Sequence, residues 1–211
     1  MSYLLGSREK KGKTRMQFVS WVNHHVRPDK KLPPCKRCGD TVELFEKNSN
    51  VDMTIRVEEI PESTVVISPE DANKWELFHA NRPRNWMKRC DYLLVGEVGG
   101  RNFAVFIELK KKVLDKDDGN NNRDGYVQLH WSQPLFHYLL SVFNIDNCSN
   151  LEKSDFIVRF WQIGEYPEGE HAKPHVYLGE DEDKCFIEEY KGIRIRNKVT
   201  PLISLRELIE S

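Results

Sequence analysis

Three charged residues of the types used in metal-assisted hydrolysis stand at the two ends of one stretch, RCDYLLVGEVGGRNFAVFIELK, residues 89–110. Asp91 opens it; Glu108 and Lys110 close it. Between them FAVFI (103–107) is a short, bounded apolar run that reads as a central strand covered on both faces. Side chains alternate along a strand, so Glu108 and Lys110 share one face and Leu109 takes the other. Burying a carboxylate and an ammonium costs on the order of several kcal/mol unless they are paired, hydrogen-bonded or given a metal. Two carboxylates converging from adjacent strands can hold a hard divalent cation through oxygen, with the backbone carbonyl of Leu109 as a further ligand. Lys110 beside them would orient attacking water or stabilise charge growing on a phosphate.

The Glu-x-Lys spacing by itself carries little information, because it recurs at Glu9 and Lys11, at Glu182 and Lys184, and at Glu189 and Lys191. Only Glu108-Leu109-Lys110 ends an apolar strand, and only that strand follows a second one opened by an acid, residues 90–95. Gly96, Gly99 and Gly100 bracket the turn between the two and permit a hairpin.

Around this hairpin the pattern predicts a helix over residues 16–26 on the apolar positions Met16, Val19 and Val22, and strands over 51–57 and 63–68. Ser68-Pro69-Glu70-Asp71 signals a helix start, Ser at the N-cap and Pro at the first helical position, carrying Glu76 late in the helix to about residue 79. The stretch LDKDDGNNNRDG (114–125) is too polar to pack and reads as a mobile loop. From Asp124 or Gly125 a helix follows on Val127, Trp131, Leu135, Tyr138, Leu139 and Val142, with Pro134 either kinking it or starting a new piece. Residues 156–163, 174–178, 185–190 and 192–196 read as strands, and Ser204 with Glu207 forms a capping box that starts a terminal helix. The fold class is α/β (α+β) with a β-rich C-terminal half.

At 211 residues, 39% hydrophobic and 31% charged, the chain has the composition of an ordinary soluble domain. It has no apolar run near the ~18 residues of a membrane span. The expectation is a cytoplasmic protein with no membrane partner. Five scattered cysteines in a chain this size suit reduced thiols. Cys35-x-x-Cys38-Gly39 resembles half of a zinc knuckle; with no second pair in the chain, a structural Zn²⁺ competes with a simpler reading as a reduced loop pair. Net charge of −1 gives no global preference for polyanions, but basic clusters occur at 8–15, 82–89, 110–112 and 194–198. Each alone is most simply a solvated face. No internal repeat is present and no clean boundary is marked. We divide the chain into residues 1–50, a basic and helical segment with the CxxC loop, and residues 51–211, the domain holding the hairpin.

An acid separated by sixteen residues from E-L-K on a hairpin, followed by a Gln-bearing helix (YVQLH), resembles the PD-(D/E)XK nuclease superfamily over residues 68–143. The resemblance implies a restriction-endonuclease-like mixed sheet flanked by helices. It implies catalytic roles for Asp91, Glu108, Lys110 and Gln128, and a Mg²⁺ or Mn²⁺ site at Asp91, Glu108 and the Leu109 carbonyl. Glu76, with Glu70 behind it, is the best match for an acid that joins the metal shell from the preceding helix. Cys90 stands where the family pattern has Pro. The activity implied is metal-dependent hydrolysis of phosphodiesters in DNA, less readily RNA, whether as an endonuclease or exonuclease, of the kind that serves as an effector in nucleic-acid defence. Arg84, Lys88, Arg89, Lys111 and Lys112 flank the site and would hold the backbone nonspecifically. Trp86 and Trp131 are candidates for base stacking, with core packing the plainer reading of Trp131. His130 and His137 share a helical face without implying a site. Three other readings stay open: a catalytically inactive module of the same fold that binds nucleic acid or a protein partner, a homodimer, and a subunit active only in a complex.

Overall fold

Every residue from Phe103 to Leu109 is buried, and described elements pack on both faces of that strand. The computed structural model describes residues 17–26, 37–48, 51–69, 89–110, 121–164 and 185–210. Among these, three α-helices and two mixed sheets make a mixed α+β architecture. The predicted helix over 69–79, beyond Pro69, and the strand over 174–178 lie outside the described residues.

The central strand is β6 (Arg101–Lys110), which forms a hairpin with β5 (Tyr92–Val98). Val98 faces Arg101 across the turn, and Gly99 and Gly100 both take positive φ, 55° and 75°. Two consecutive left-handed residues are what a two-residue turn matched to strand twist requires. Gly96 does not belong to that turn, as the sequence suggested. It lies inside β5, where a β-carbon would stand 2.4 Å from Cζ of Phe103, so its bare backbone makes room for that ring.

A long helix, α2 (Asn121–Asn147), then returns the chain to β7 (Phe156–Gly164), which pairs with β6 in parallel, the arrangement a helical crossover allows. It begins at Asn121, inside the stretch read as a loop, so the packed helix overrides the weak propensity of its asparagines. Pro134 neither breaks it nor starts a new piece. Proline cannot donate to the carbonyl four residues back. The side-chain amide of Gln133 donates to that carbonyl, of His130, at 3.4 Å.

Strands β4 (Val65–Ile67), β8 (Phe186–Tyr190) and β9 (Ile193–Val199) complete a six-stranded sheet in the order β4-β5-β6-β7-β9-β8. A second sheet joins β1 (Arg37–Cys38), β2 (Thr41–Asn48), β3 (Val51–Glu58) and β10 (Leu202–Ser204), the last parallel to β3. β2 was not expected from the sequence. It pairs with β3 along its whole length, so a division of the chain at residue 50 falls between the two strands of one hairpin.

One face of the large sheet carries α2 and the helix α1 (Phe18–His25). There Phe18, Phe106, Phe136, Phe143, Phe156 and Phe160 pack in edge-to-face and stacked contacts with centroids 4.9–6.2 Å apart. The other face meets the second sheet and α3 (Leu205–Glu210) through Leu94, Val105, Ile107, Leu109 and Trp161. The start of α3 follows the sequence reading in part. Ser204 Oγ accepts the Glu207 N–H at 3.1 Å, while the Glu207 carboxylate turns to Lys198 at 2.6 Å instead of back to its cap.

Candidate active site

The pairing register sets the site before any side chain is considered. Tyr92 faces Ile107, so Asp91, one residue earlier, comes alongside Glu108. Glu108 faces Gln162 of β7, and Gln162 faces Asn197 of β9. Facing residues point the same way. Asp91, Glu108, Gln162 and Asn197 therefore form one row across the sheet, on the face covered by α2. Glu108 is 1% exposed, and Gln162 and Asn197 are 0% exposed. Unpaired, such groups would each cost on the order of 1–3 kcal/mol, so the row demands partners.

α2 supplies them. Gln128 Nε2 donates to Glu108 Oε1 at 2.6 Å, and the Lys110 ammonium reaches the same oxygen at 2.6 Å. The Tyr126 hydroxyl donates to Oδ1 of Asn197 at 3.1 Å. Burial, helped by the neighbouring Glu188 carboxylate, pushes the Tyr126 phenol well up, so it stays protonated and able to donate. Gly125 lies so close to the row that a β-carbon would stand 2.3 Å from Gln162 Oε1 and 3.2 Å from Lys110 Cε.

Asp91 has a second function in the ladder. Its Oδ2 accepts the Leu109 N–H at 2.6 Å, continuing the β5–β6 pairing by a side chain one step past the last backbone pair. The N–H and C=O of one strand residue point to the same side, so the Leu109 carbonyl also faces the Asp91 side of β6. The approach of this segment to α2 is fixed by Ser132, whose Oγ accepts the Cys90 N–H at 2.8 Å and donates to the Gln128 carbonyl at 2.7 Å. Cys90 is fully buried; that burial, with Glu108 and Asp91 close by, pushes its thiol far up and keeps it neutral.

The structure thus brings together Asp91, Glu108, Leu109, Lys110 and Gln128. Arg89 donates from Nη1 to the Trp131 carbonyl, so this residue, expected to contact a phosphodiester backbone, ties the segment before β5 to α2. Cys38 is exposed and free. Glu76, Arg84, Lys88, Lys111, Lys112 and Cys35 lie outside the described residues. Among the described residues no group of three His, Cys, Asp or Glu side chains is gathered to hold a metal. The donors present, two carboxylates and a carbonyl, are hard oxygens of the kind Mg²⁺ and Mn²⁺ accept, and fewer protein ligands suffice where water and phosphate fill the remaining positions. They suit such an ion in type.

Sequence reasoning missed Gly125, Tyr126, Ser132, Gln162 and Asn197. A signal existed for two of them: Gln162 sits between Trp161 and Ile163 in an apolar run, and Asn197 lies in a strand whose alternate residues Ile193 and Ile195 are buried. Compared with protein-family models, curated proteins and solved structures, the chain matches none. No helix of the described residues is long and apolar enough to cross a membrane.

Proposed function

We propose that the chain is a metal-dependent phosphodiesterase of the PD-(D/E)XK type, with a restriction-endonuclease-like core, acting on DNA in preference to RNA. The observation that carries this reading is the meeting of Glu108, Lys110 and Gln128 at one carboxylate oxygen, with Asp91 beside them at the end of the same hairpin. Asp91, Glu108 and the Leu109 carbonyl would hold Mg²⁺ or Mn²⁺, with Glu76 as a further ligand. Such an ion acts as a Lewis acid and lowers the pKa of a bound water.

The remaining roles belong to this chain's own groups. Lys110, fixed by Glu108, presents an ammonium to the attacking water and to the phosphoryl oxygens. Gln128 holds Glu108 in one rotamer, and Gln162 supports the strand behind it. Water adds to phosphorus, the P–O bond to the leaving nucleoside breaks, and that oxygen takes a proton. Arg84, Lys88, Lys111 and Lys112 would contact the phosphodiester backbone beside the site, with Arg89 contributing whatever its contact to Trp131 leaves available.

A second reading has an observation of its own. Asp91 completes a backbone ladder and Glu108 lies in an ion pair, so both acids have structural work in the fold. That arrangement suits a non-catalytic module binding nucleic acid or a protein partner, or a nuclease engaged only within a complex. Incubation of the purified chain with plasmid and linear DNA in Mg²⁺ or Mn²⁺ separates the two. We expect cleavage that stops on chelation and in Lys110→Ala with the fold retained; cleavage by folded Lys110→Ala and Glu108→Gln at the wild-type rate would defeat the assignment.

A further inference from the structure

The opposite face of the large sheet carries a second charged arrangement. Alternation places Arg101 of β6, Arg159 of β7, and Arg194 and Arg196 of β9 on the face away from Glu108 and Gln162. Arg196 faces Trp161 across the β7–β9 pair, and Arg159 and Arg194 each precede by one residue the point where Phe160 faces Ile195. Adjacent strands lie ~4.8 Å apart and alternate residues along a strand ~6.6 Å apart, so Arg159, Arg194 and Arg196 share one small area, and Arg101, four residues ahead of the Val105 that faces Arg159, extends it along β6. Arg101 and Arg194 are exposed, and Arg159 and Arg196 half-buried.

Two features make this cluster different from a solvated face. Nε of Arg159 and Nε of Arg196 are enclosed from water and have no hydrogen-bond partner. The arginines also oppose one another: burial lowers the pKa of Arg159 and of Arg196, Arg101 lowers Arg159 further, and Arg159 and Arg194 lower Arg196 further. The fold therefore holds like charges together in partly desolvated positions. Two carboxylates lie nearby among the described residues. Glu189 faces Arg194 across the β8–β9 pair, and Glu207 is engaged by Lys198 at 2.6 Å.

We propose that Arg101, Arg159, Arg194 and Arg196 form a docking face for a phosphodiester backbone, on the side of the sheet opposite the Asp91–Glu108 row. A guanidinium fork matches phosphate oxygens, and its weak hydration makes partial burial tolerable once an anion arrives. Three such groups together and a fourth further along β6 fit a polymer of phosphates better than a single small anion, since each strand of nucleic acid offers a charge every ~3.4 Å along its axis. The inference does not depend on hydrolysis at Glu108. A catalytic chain would use the face to retain nucleic acid, and a non-catalytic one would use it as its binding surface.

The test is a titration of a fluorescein-labelled 20-nucleotide DNA by the full chain in EDTA, from about 50 to 200 mM salt, the range over which phosphate contacts are strongly screened. Arg159→Gln/Arg194→Gln/Arg196→Gln is expected to weaken binding at least tenfold and to make the plot of log K against log salt shallower by about 2–3, at ~0.7–0.9 for each phosphate no longer neutralised. Arg194→Gln alone, at an exposed position that leaves the fold undisturbed, should reduce the slope by about 1. Arg206→Gln, which removes a charge from an exposed pair with Glu210, should change neither quantity. Wild-type affinity and slope in the folded triple variant would overturn the proposal. So would binding to phosphatidylserine vesicles without binding to the oligonucleotide. Arginine-dependent binding by a chain that cleaves nothing in Mg²⁺ or Mn²⁺ supports this face while removing the nuclease reading.

Discussion

A β-carbon on Gly125 would stand 2.3 Å from Oε1 of Gln162, closer than any real contact of that kind, and Gln162 is wholly buried and has no solvent to turn toward. Gly125 lies in the first two turns of α2, where alanine would ordinarily favour the helix by ~1 kcal/mol. Overpacking of a buried contact costs about 1–3 kcal/mol. Gly125→Ala should therefore lower stability by ~1 kcal/mol net in a urea melt. Because Lys110 Cε is the next neighbour, at 3.2 Å, the same variant should lose metal-dependent cleavage out of proportion to its stability. Unchanged cleavage in Gly125→Ala would show that the row behind Glu108 does not position Lys110.

The Glu108–Lys110 pair can be tested apart from catalysis. Removing one member of a buried pair costs ~3–5 kcal/mol because the other charge is left stranded. Lys110 is 24% exposed, and solvent reduces that figure to about 2 kcal/mol. Lys110→Met should show this loss in denaturant melts. Glu108→Leu/Lys110→Met should recover most of it, less ~1 kcal/mol for the acceptor that Gln128 loses. If the pair serves only the fold, the double variant keeps every function of the chain; if it is the reacting centre, stability returns and cleavage does not.

These relationships were unevenly legible in the sequence. The β5–β6 hairpin could be read because a strand covered on both faces must be apolar throughout, and because Gly99-Gly100 suits a tight left-handed turn. The meeting of Asp91, Glu108 and Lys110 followed from alternation once that hairpin was granted. β2 was harder. Val42 and Leu44 alternate with Glu43 just as Met53 and Ile55 alternate with Thr54, but the CxxC loop before β2 and the charges at Glu46 and Lys47 mask the pattern. Gln162 and Asn197 could not be placed beside Glu108 from sequence at all. Their position depends on the order and parallel register of β6, β7 and β9, which single-strand periodicity does not encode.

Besides their apolar packing, the two sheets are linked by a phenol. The Tyr92 hydroxyl accepts the Phe45 N–H at 2.9 Å and donates to the Phe45 carbonyl at 2.8 Å, along the edge of β2 beyond the point where β1 stops pairing. A single hydroxyl thus serves both backbone groups of Phe45 as a neighbouring strand residue would. Tyr92→Phe takes the hydroxyl from both backbone groups and should cost about 1–3 kcal/mol, read as a lowered melting temperature. Its ring still packs against the core, so cleavage and oligonucleotide affinity at low temperature should match wild type; a loss of either would make this junction part of the function.

His130 gives the fold a defined sensitivity to acid. Its Nδ1 is enclosed and without a hydrogen-bond partner, and its ring stands edge-on to Trp131 and Tyr190 at 5.6 and 6.1 Å. Burial, with the Lys191 ammonium adding to it, holds the imidazole below its ordinary pKa. Between that lowered value and the ordinary one near 6.5, the unfolded chain binds more protons than the folded chain, so stability rises with pH across that window and is lost as pH falls through it. Urea midpoints should be lower at pH 5.5 than at pH 7.5, and His130→Gln should narrow the gap, because glutamine has no proton to take up on unfolding. An equal gap in the two proteins would assign the acid sensitivity to other groups. An enlarged one would mean that His130 is charged in the fold, opposite to the sign its buried surroundings dictate.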